Sequence, residues 1–351
     1  MTRLGPRGGI LFVLGMTVVL VVLSLAIGVE GGAFAGAWRD WRAGIPMAES
    51  VNLQILFLHR LPRTLAAALA GAGLAVAGCA FQALLRNPLA TPYTLGVASA
   101  GALGAWIAVI LVGRYPDGLA GQIEFALNGV GLSLRQFGAF LLAALDMGFI
   151  YLLATRRARM SPAVLLLAGV TLGMMANAGI VLMRYLASPD LLVSMERWLM
   201  GGVAVIGYDE VTRLAIGVIP CALVLLYYAG QYDQIGFSPE LAAGRGVNVT
   251  NLQRGTFIFG SLMTAMIVAE VGPIGFVGLV VPHAVRACVG ANHRVLMPLS
   301  VVAGAGFLCF CDIVTRLLFV QETPVGIVSS FIGVPVFIAL MLRRGFTDWE
   351  R

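Results

Sequence analysis

The feature that most constrains this chain is a succession of apolar runs separated by clusters of Gly, Pro and Arg. An α-helix of about 20 apolar residues crosses the hydrocarbon of a bilayer. The runs therefore predict an all-α integral membrane protein of ten spans. They lie at about 10–28, 62–84, 94–112, 134–154, 161–187, 211–229, 254–271, 274–289, 297–318 and 326–342. Only 11% of the residues are charged, against roughly one quarter in soluble domains, so the chain has too little polar surface to face water on all sides. Among its residues are 44 glycines, which suit helices that approach closely in lipid.

All 23 basic residues are arginine, and no lysine occurs. The arginines are scattered between apolar runs rather than gathered in a stripe, so they read as loop charges and not as a nucleic-acid surface. The expected inner segments carry Arg3, Arg7, Arg86, Arg156, Arg157, Arg159, Arg245, Arg254, Arg286, Arg294, Arg343, Arg344 and Arg351, but few acids. The outer ones balance their charges, so the bias places both termini in the cytoplasm. Ile10–Ile27 is longer than a signal-peptide core and reads as a retained first span.

Local signals set several boundaries. Ser161-Pro162 offers a capping serine followed by proline at the first helical position, and Pro62 can start the second span in the same way. Asn87-Pro88 and Thr91-Pro92 force the chain out of helix twice in quick succession. Irregular backbone at membrane depth has to be buried in protein or line a water-filled path. A short surface helix is expected within 190–207. No soluble domain interrupts the chain, which reads as one transmembrane domain over 1–351.

No phosphate loop, HExxH or GxSxG is present. No catalytic residues are assigned, and any ATP that drives the protein must be hydrolysed by another chain. The five cysteines show no framework or metal-ligand spacing and read as small hydrophobes. No metal site or cofactor is assigned to this chain.

The longest inner loop is 231–253. Ser238-Pro239-Glu240 supplies a cap, a first-turn proline and a first-turn acid. Leu241 and Ala242 continue the turn, and Gly244 and Gly246, around Arg245 and before Val247, end it. A second helix is expected after Asn251. On physics alone this loop is equally a plain connector or a contact for a cytoplasmic partner. The run Val271–His283 is broken by Gly272, Pro273, Gly275, Gly278 and Pro282, which suggests a tight reversal and close packing, with packing favoured over a ligand role for His283. On the outer side lie His59, Arg60 and Arg63, with Arg316 near the outer end of span nine; snorkelling is their default reading. Three acids, Asp146, Glu270 and Asp312, fall inside spans and are functional candidates. Asp312 and Arg316 are four apart and suit a structural pair.

In this order the pieces resemble the permeases of the vitamin B12, haem and ferric-siderophore importers. The stretches that carry the likeness are RLPRTLAAALAGAGLAVAGCAFQALLRNPLATPYTLGVASAGALGA, LLLAGVTLG, ELAAGRGVNV, GPIGFVGLVVPH, NHR at 292–294 and TPVGIVSSFIGVPVFIALM. The resemblance implies a BtuC-like permease fold and a homodimer in the inner (plasma) membrane. It also implies two ATP-binding subunits carrying ATP and Mg, and a periplasmic or lipid-anchored binding protein. It assigns docking to Arg60, Arg63 and Arg316, and coupling to the ATPase to Ser238–Val247. It places a cytoplasmic gate at Asn87 and Leu89 and at Ser161 and Pro162. Thr171, Met174 and Asn177 are candidate pathway residues, with core packing as the alternative. Ser161-Pro162-Ala163 and Glu270 depart from the family pattern. The expected cargo is a metal chelate, ferric siderophore first, then haem or cobalamin. The rival is a proton-coupled transporter working through Asp146, Glu270 and Asp312.

Overall fold

A computed structural model of the chain describes residues 6–28, 32–129, 131–155, 162–203, 205–318 and 324–344. Their regular secondary structure is helical, with no strand among them. In chain order the helices are α1 (Pro6–Ala26), α2 (Ala33–Arg42), α3 (Val51–Gln54), a π-helical segment (Ile55–Arg60), α4 (Leu61–Leu84), α5 (Val97–Arg114), α6 (Leu119–Asn128), α7 (Leu134–Thr155) and α8 (Pro162–Leu186). They continue with α9 (Pro189–Leu199), α10 (Asp209–Tyr227), α11 (Ala229–Ile235), α12 (Pro239–Gly244), α13 (Val249–Val271), α14 (Val277–Val289), α15 (His293–Leu318) and α16 (Val325–Arg344).

Among the described residues, eight helical stretches are long and apolar enough to cross a membrane, and α14 and α16 supply shorter apolar ones. Together they account for the ten expected runs. The eighth expected span, 274–289, is shorter than the sequence suggested. Its helix has 13 residues and is about 20 Å long, against a hydrocarbon core of about 30 Å. The cause is local: Gly272 and Phe276 both hold positive φ, 72° and 66°, and the backbone stays non-helical until Val277.

The described residues form two compact units. One is drawn from Met1–Val76, Gly202–Ile216 and Gly275–Arg351, the other from Ala77–Gly201 and Gly217–Ile274. In the first, α1 packs on α14 and α15, and α16 on α14 and α15. In the second, α5 packs on α7, α8 and α13, and α13 also packs on α7. Trp106, fully buried on α5, packs among Ala102, Ala105, Ala139, Ile180, Met195 and Ala269.

Small residues set the closest approaches. A methyl group on Gly71 of α4 would collide with the carbonyl of Gly304 on α15. One on Gly104 of α5 would collide with that of Gly138 on α7. Such contacts let backbones touch where lipid supplies no hydrophobic drive.

The second span does not begin at Pro62. Ser50 accepts from Leu53 N at 3.1 Å, and the helix runs unbroken over Val51–Leu84. Pro62 has no N–H, so the carbonyls four and five residues before it lose their helical donor. Gly207 N donates to Leu58 O at 2.9 Å, and Tyr208 OH donates to Phe57 O at 2.9 Å. The stretch before this helix, expected on the outer side, holds α2. Asp40 at the end of α2 accepts from Ser50 Oγ at 2.6 Å and from Asn52 Nδ2 at 2.9 Å. These two bonds hold its carboxyl below the usual carboxylate range.

The packing predicts that Gly104→Leu costs about 1–3 kcal/mol through overpacking, read as a lower melting temperature in detergent. Gly15→Leu on α1, where an added methyl meets nothing within 4 Å, should stay within about 0.5 kcal/mol of the parent.

Candidate functional site

The sequence-assigned residues fall into four groups, each lying within one unit. The first is built around the C-terminus of α1. A helix leaves its last four carbonyls without intrahelical donors, and here arginine side chains supply them. Arg60 Nη1 donates to Ala26 O at 2.9 Å and Leu25 O at 3.3 Å. Arg316 Nη1 donates to Ser24 O at 2.8 Å and Ile27 O at 3.1 Å. Ser24 Oγ also pairs with Thr64 Oγ1 at 2.9 Å. The Arg60 guanidinium lies so close over Gly28 that a methyl there would sit 2.5 Å from Nη2.

Asp312, fully buried, joins the group from α15. Arg63 Nε donates to its Oδ1 at 2.8 Å, and Arg316 Nη2 to its Oδ2. The intrahelical pair read from the sequence is present, and Arg63, 249 residues away in the chain, shares the same carboxylate. Thus Arg60 and Arg316 converge on one helix end, and Arg63 joins them through Asp312. Arg63 keeps the most side-chain exposure of the two that hold Asp312, 16% against 6% for Arg316.

The second group is the turn between α4 and α5. Arg86 takes a left-handed φ of 47°. Asn87 Oδ1 then accepts from Leu89 N at 2.9 Å, an Asx turn that leaves the Leu89 side chain exposed. Thr91 and Thr94 bond each other's backbone, with Thr94 Oγ1 donating to Thr91 O at 2.8 Å and accepting from Thr91 N at 3.0 Å. The turn so satisfies its own irregular backbone. The other half of the expected gate begins at Pro162, where α8 starts; Ser161 lies outside the described residues.

The third group is α12. Ser238 Oγ accepts from Leu241 N at 3.0 Å, Pro239 takes the first helical position, and Glu240 lies in the first turn. At the other end Gly246, at φ 86°, closes a Schellman motif. Val247 N donates to Ala242 O at 3.0 Å and Gly246 N to Ala243 O at 3.0 Å. Ala242 and Val247 are buried beneath the motif, whereas Leu241 and Phe237 are exposed. Helix α11, absent from the sequence reading, anchors this base: Tyr232, fully buried, bonds Thr256 of α13 at 2.6 Å. Burial pushes its phenol pKa up, so the bond partner remains a hydroxyl. Helix α13 starts earlier than expected, at Val249, because Asn248 Oδ1 accepts from Asn251 N at 3.0 Å.

The fourth group is Thr171, Met174 and Asn177 on α8. All three are exposed, so within the chain they are not core packing. Thr171 Oγ1 donates to Leu167 O at 2.7 Å.

Residues 16–343 match the FecCD transport family. The chain belongs to that family. It is 33% identical over 306 residues to the vitamin B12 import system permease protein BtuC of Vibrio cholerae, covering 87% of each chain. It is 31% identical over 300 residues to the molybdate import system permease protein MolB of Haemophilus influenzae, covering 85% of this chain and 84% of that one. A solved structure described as an inward-facing conformation of a metal-chelate type ABC transporter superposes with a TM-score of 0.78 at 27% identity, over 95% of this chain and 98% of the other. The chain is therefore a membrane permease subunit of an ABC importer.

Within this FecCD permease the remaining membrane acids separate by their partners. Glu270, near the end of α13, accepts from Gln136 Nε2 at 2.9 Å. The sequence offered no partner because Gln136 lies 134 residues away. Asp146 Oδ2 is buried without a hydrogen bond, and a methyl on Gly96, at the start of α5, would lie 3.3 Å from it.

Four outcomes follow. Asp312→Asn should destabilise by about 3–5 kcal/mol, because the buried Arg316 and the half-buried Arg63 lose their counter-charge. Arg63→Gln, which leaves Asp312 paired to Arg316, should cost clearly less in thermal unfolding. Gly246→Ala should cost about 1–2 kcal/mol for its left-handed backbone. Gly244→Ala, where the added methyl meets open space, should be neutral or stabilising, read by protease sensitivity of the loop.

Proposed function

We propose that this permease carries a metal chelate from a binding protein into the cytoplasm, with ferric siderophore as the first cargo class and haem or cobalamin next. It works as a homodimer in the inner (plasma) membrane with both termini cytoplasmic. Two partner subunits bind ATP and Mg and hydrolyse the nucleotide.

The observation that carries this reading is the geometry of α12. A two-turn helix fixed at both caps and presenting Leu241 and Phe237 outward is a rigid projection suited to a cleft in an ATPase. Ser238, Pro239, Glu240, Leu241, Ala242, Gly244, Arg245, Gly246 and Val247 form that coupling element. The exposed row Thr171, Met174 and Asn177 supports a pathway wall shared with a second copy. Leu89, displayed by the Asn87 turn, supports a gate together with the 161–162 region. Of Arg60, Arg63 and Arg316, assigned to docking by the family likeness, Arg63 is the one exposed enough to receive a carboxylate of the binding protein, while the buried Arg60 and Arg316 hold the end of α1 behind it. Metal chelates as cargo rest on the superposed transporter and on the vitamin B12 relatives.

The proton-driven alternative keeps little support. Asp312 is committed to two arginines and Glu270 to Gln136, which leaves Asp146 to carry it.

Co-purification in mild detergent and uptake into proteoliposomes test the proposal. We expect an ATP-binding subunit at one-to-one stoichiometry and ATP-dependent uptake of a ferric siderophore. Replacing Gly246 by Leu should leave ATP hydrolysis but stop uptake. Uptake that persists without nucleotide and vanishes in Asp146→Asn would overturn it in favour of proton coupling.

A further inference from the structure

Helix α2 presents three different faces. At about 100° per residue, Gly36, Ala37 and Asp40 share the face turned into the protein. Gly36 and Ala37 are buried, a methyl on Gly36 would lie 2.7 Å from the Asn52 side chain, and Asp40 is held by Ser50 and Asn52. On one flank Phe34, Trp38 and Trp41 form a stripe, spaced four and three residues apart. All three are exposed, Trp38 by 50% and Trp41 by 62%, and none of the assigned groups uses them. The two indoles lie 5.3 Å apart. Arg39 and Arg42 take the remaining face, both exposed, and the Arg42 guanidinium sits 5.0 Å over the Trp38 ring. Asp40 is the one acid in the sequence of α2 and it points inward, so the free surface is aromatic and positive.

The level of the helix says what meets this surface. Helix α2 packs on α1, on α3 and on the π-helical segment. That segment ends in Arg60, whose guanidinium donates to Ala26 O at the end of α1. Helix α2 therefore stands level with the end of α1. In turn α1 is long and apolar enough to cross a membrane, and it keeps an exposed apolar surface into its last turns at Val19, Val22 and Leu23. A helix beside the end of such a span lies where hydrocarbon gives way to headgroups. Tryptophan suits that layer, with an apolar ring and one N–H donor. Arginine suits it as well, because an apolar stem carries its charge out to phosphate.

We propose that α2 is an interfacial helix. Phe34, Trp38 and Trp41 insert among the lipid chains next to the headgroups, and Arg39 and Arg42 meet the phosphates. The helix thereby fixes the level of the bilayer against the end of α1. The inference needs neither the cargo nor the docking role of the arginines, and it holds for whichever side of the membrane α1 ends on.

The test reads tryptophan fluorescence of the full chain in nanodiscs whose phosphatidylcholine carries bromine either beside the headgroup or at the chain ends. Subtracting the signal of the double variant Trp38→Phe, Trp41→Phe isolates the two indoles; Trp41→Phe alone serves if the double variant folds poorly. We expect their emission to be blue-shifted from that of tryptophan in water. It should be quenched most by bromine beside the headgroup, at a depth of about 5–10 Å, and spared by aqueous iodide. Quenching by iodide with none from bromine would overturn the proposal. So would strongest quenching from the chain ends, or protection from iodide that appears only when a soluble binding protein is added.

Discussion

The interaction on which much of the first unit depends is the capping of the end of α1. Water would satisfy those carbonyls at an exposed helix end, but here residues 25–28 are half-buried and protein donors take that place. Side chains from two other places in the sequence supply the donors, and arginine is suited because one guanidinium serves two carbonyls and still reaches a carboxylate. Asp312 follows from that choice: itself fully buried, it offsets the charge of Arg63 and Arg316. Gly28 follows too, since a side chain there would displace Arg60. One backbone requirement thus fixes residues on α1, α4 and α15. It also gathers basic groups in the place where the family likeness puts a docking surface.

The same accounting governs the break at Pro62. A proline inside a helix is expensive when its orphaned carbonyls face lipid. The segment Ile55–Arg60 spends that liability on tertiary contacts with Gly207 and Tyr208. A chain-distant backbone N–H and a phenol so become part of the second span's helix. In the turn between α4 and α5 the solution is local, because Asn87, Thr91 and Thr94 close their own backbone.

What was legible in the sequence was whatever neighbouring residues determine. The caps of α12 were readable because Ser238, Pro239 and Gly246 act on backbone within five residues. The apolar runs were readable because length and hydropathy are additive along the chain. The pair Asp312–Arg316 was readable from helical spacing. The partnership of Arg63 with Asp312, of Gln136 with Glu270 and of Gly207 with Leu58 had no local signature, since only folding brings those residues together. The shortened α14 was hidden for another reason: Phe276 adopts a left-handed backbone that its residue type does not announce. The row on α8 was visible as spacing, but whether it faced inward or outward needed the neighbouring helices.

The distance in sequence between α1 and its cap has a consequence for how the protein is made. Ser24 and Arg316 are 292 residues apart. At about 5–20 residues per second of synthesis, roughly 15–60 seconds separate their emergence. Throughout that time α1 has Arg60 for Leu25 and Ala26 but lacks the donor that later holds Ser24 and Ile27. Either water at the membrane surface or the insertion machinery must serve those carbonyls meanwhile. The end of α1 is therefore a late-closing part of the first unit, fully capped only when α15 arrives.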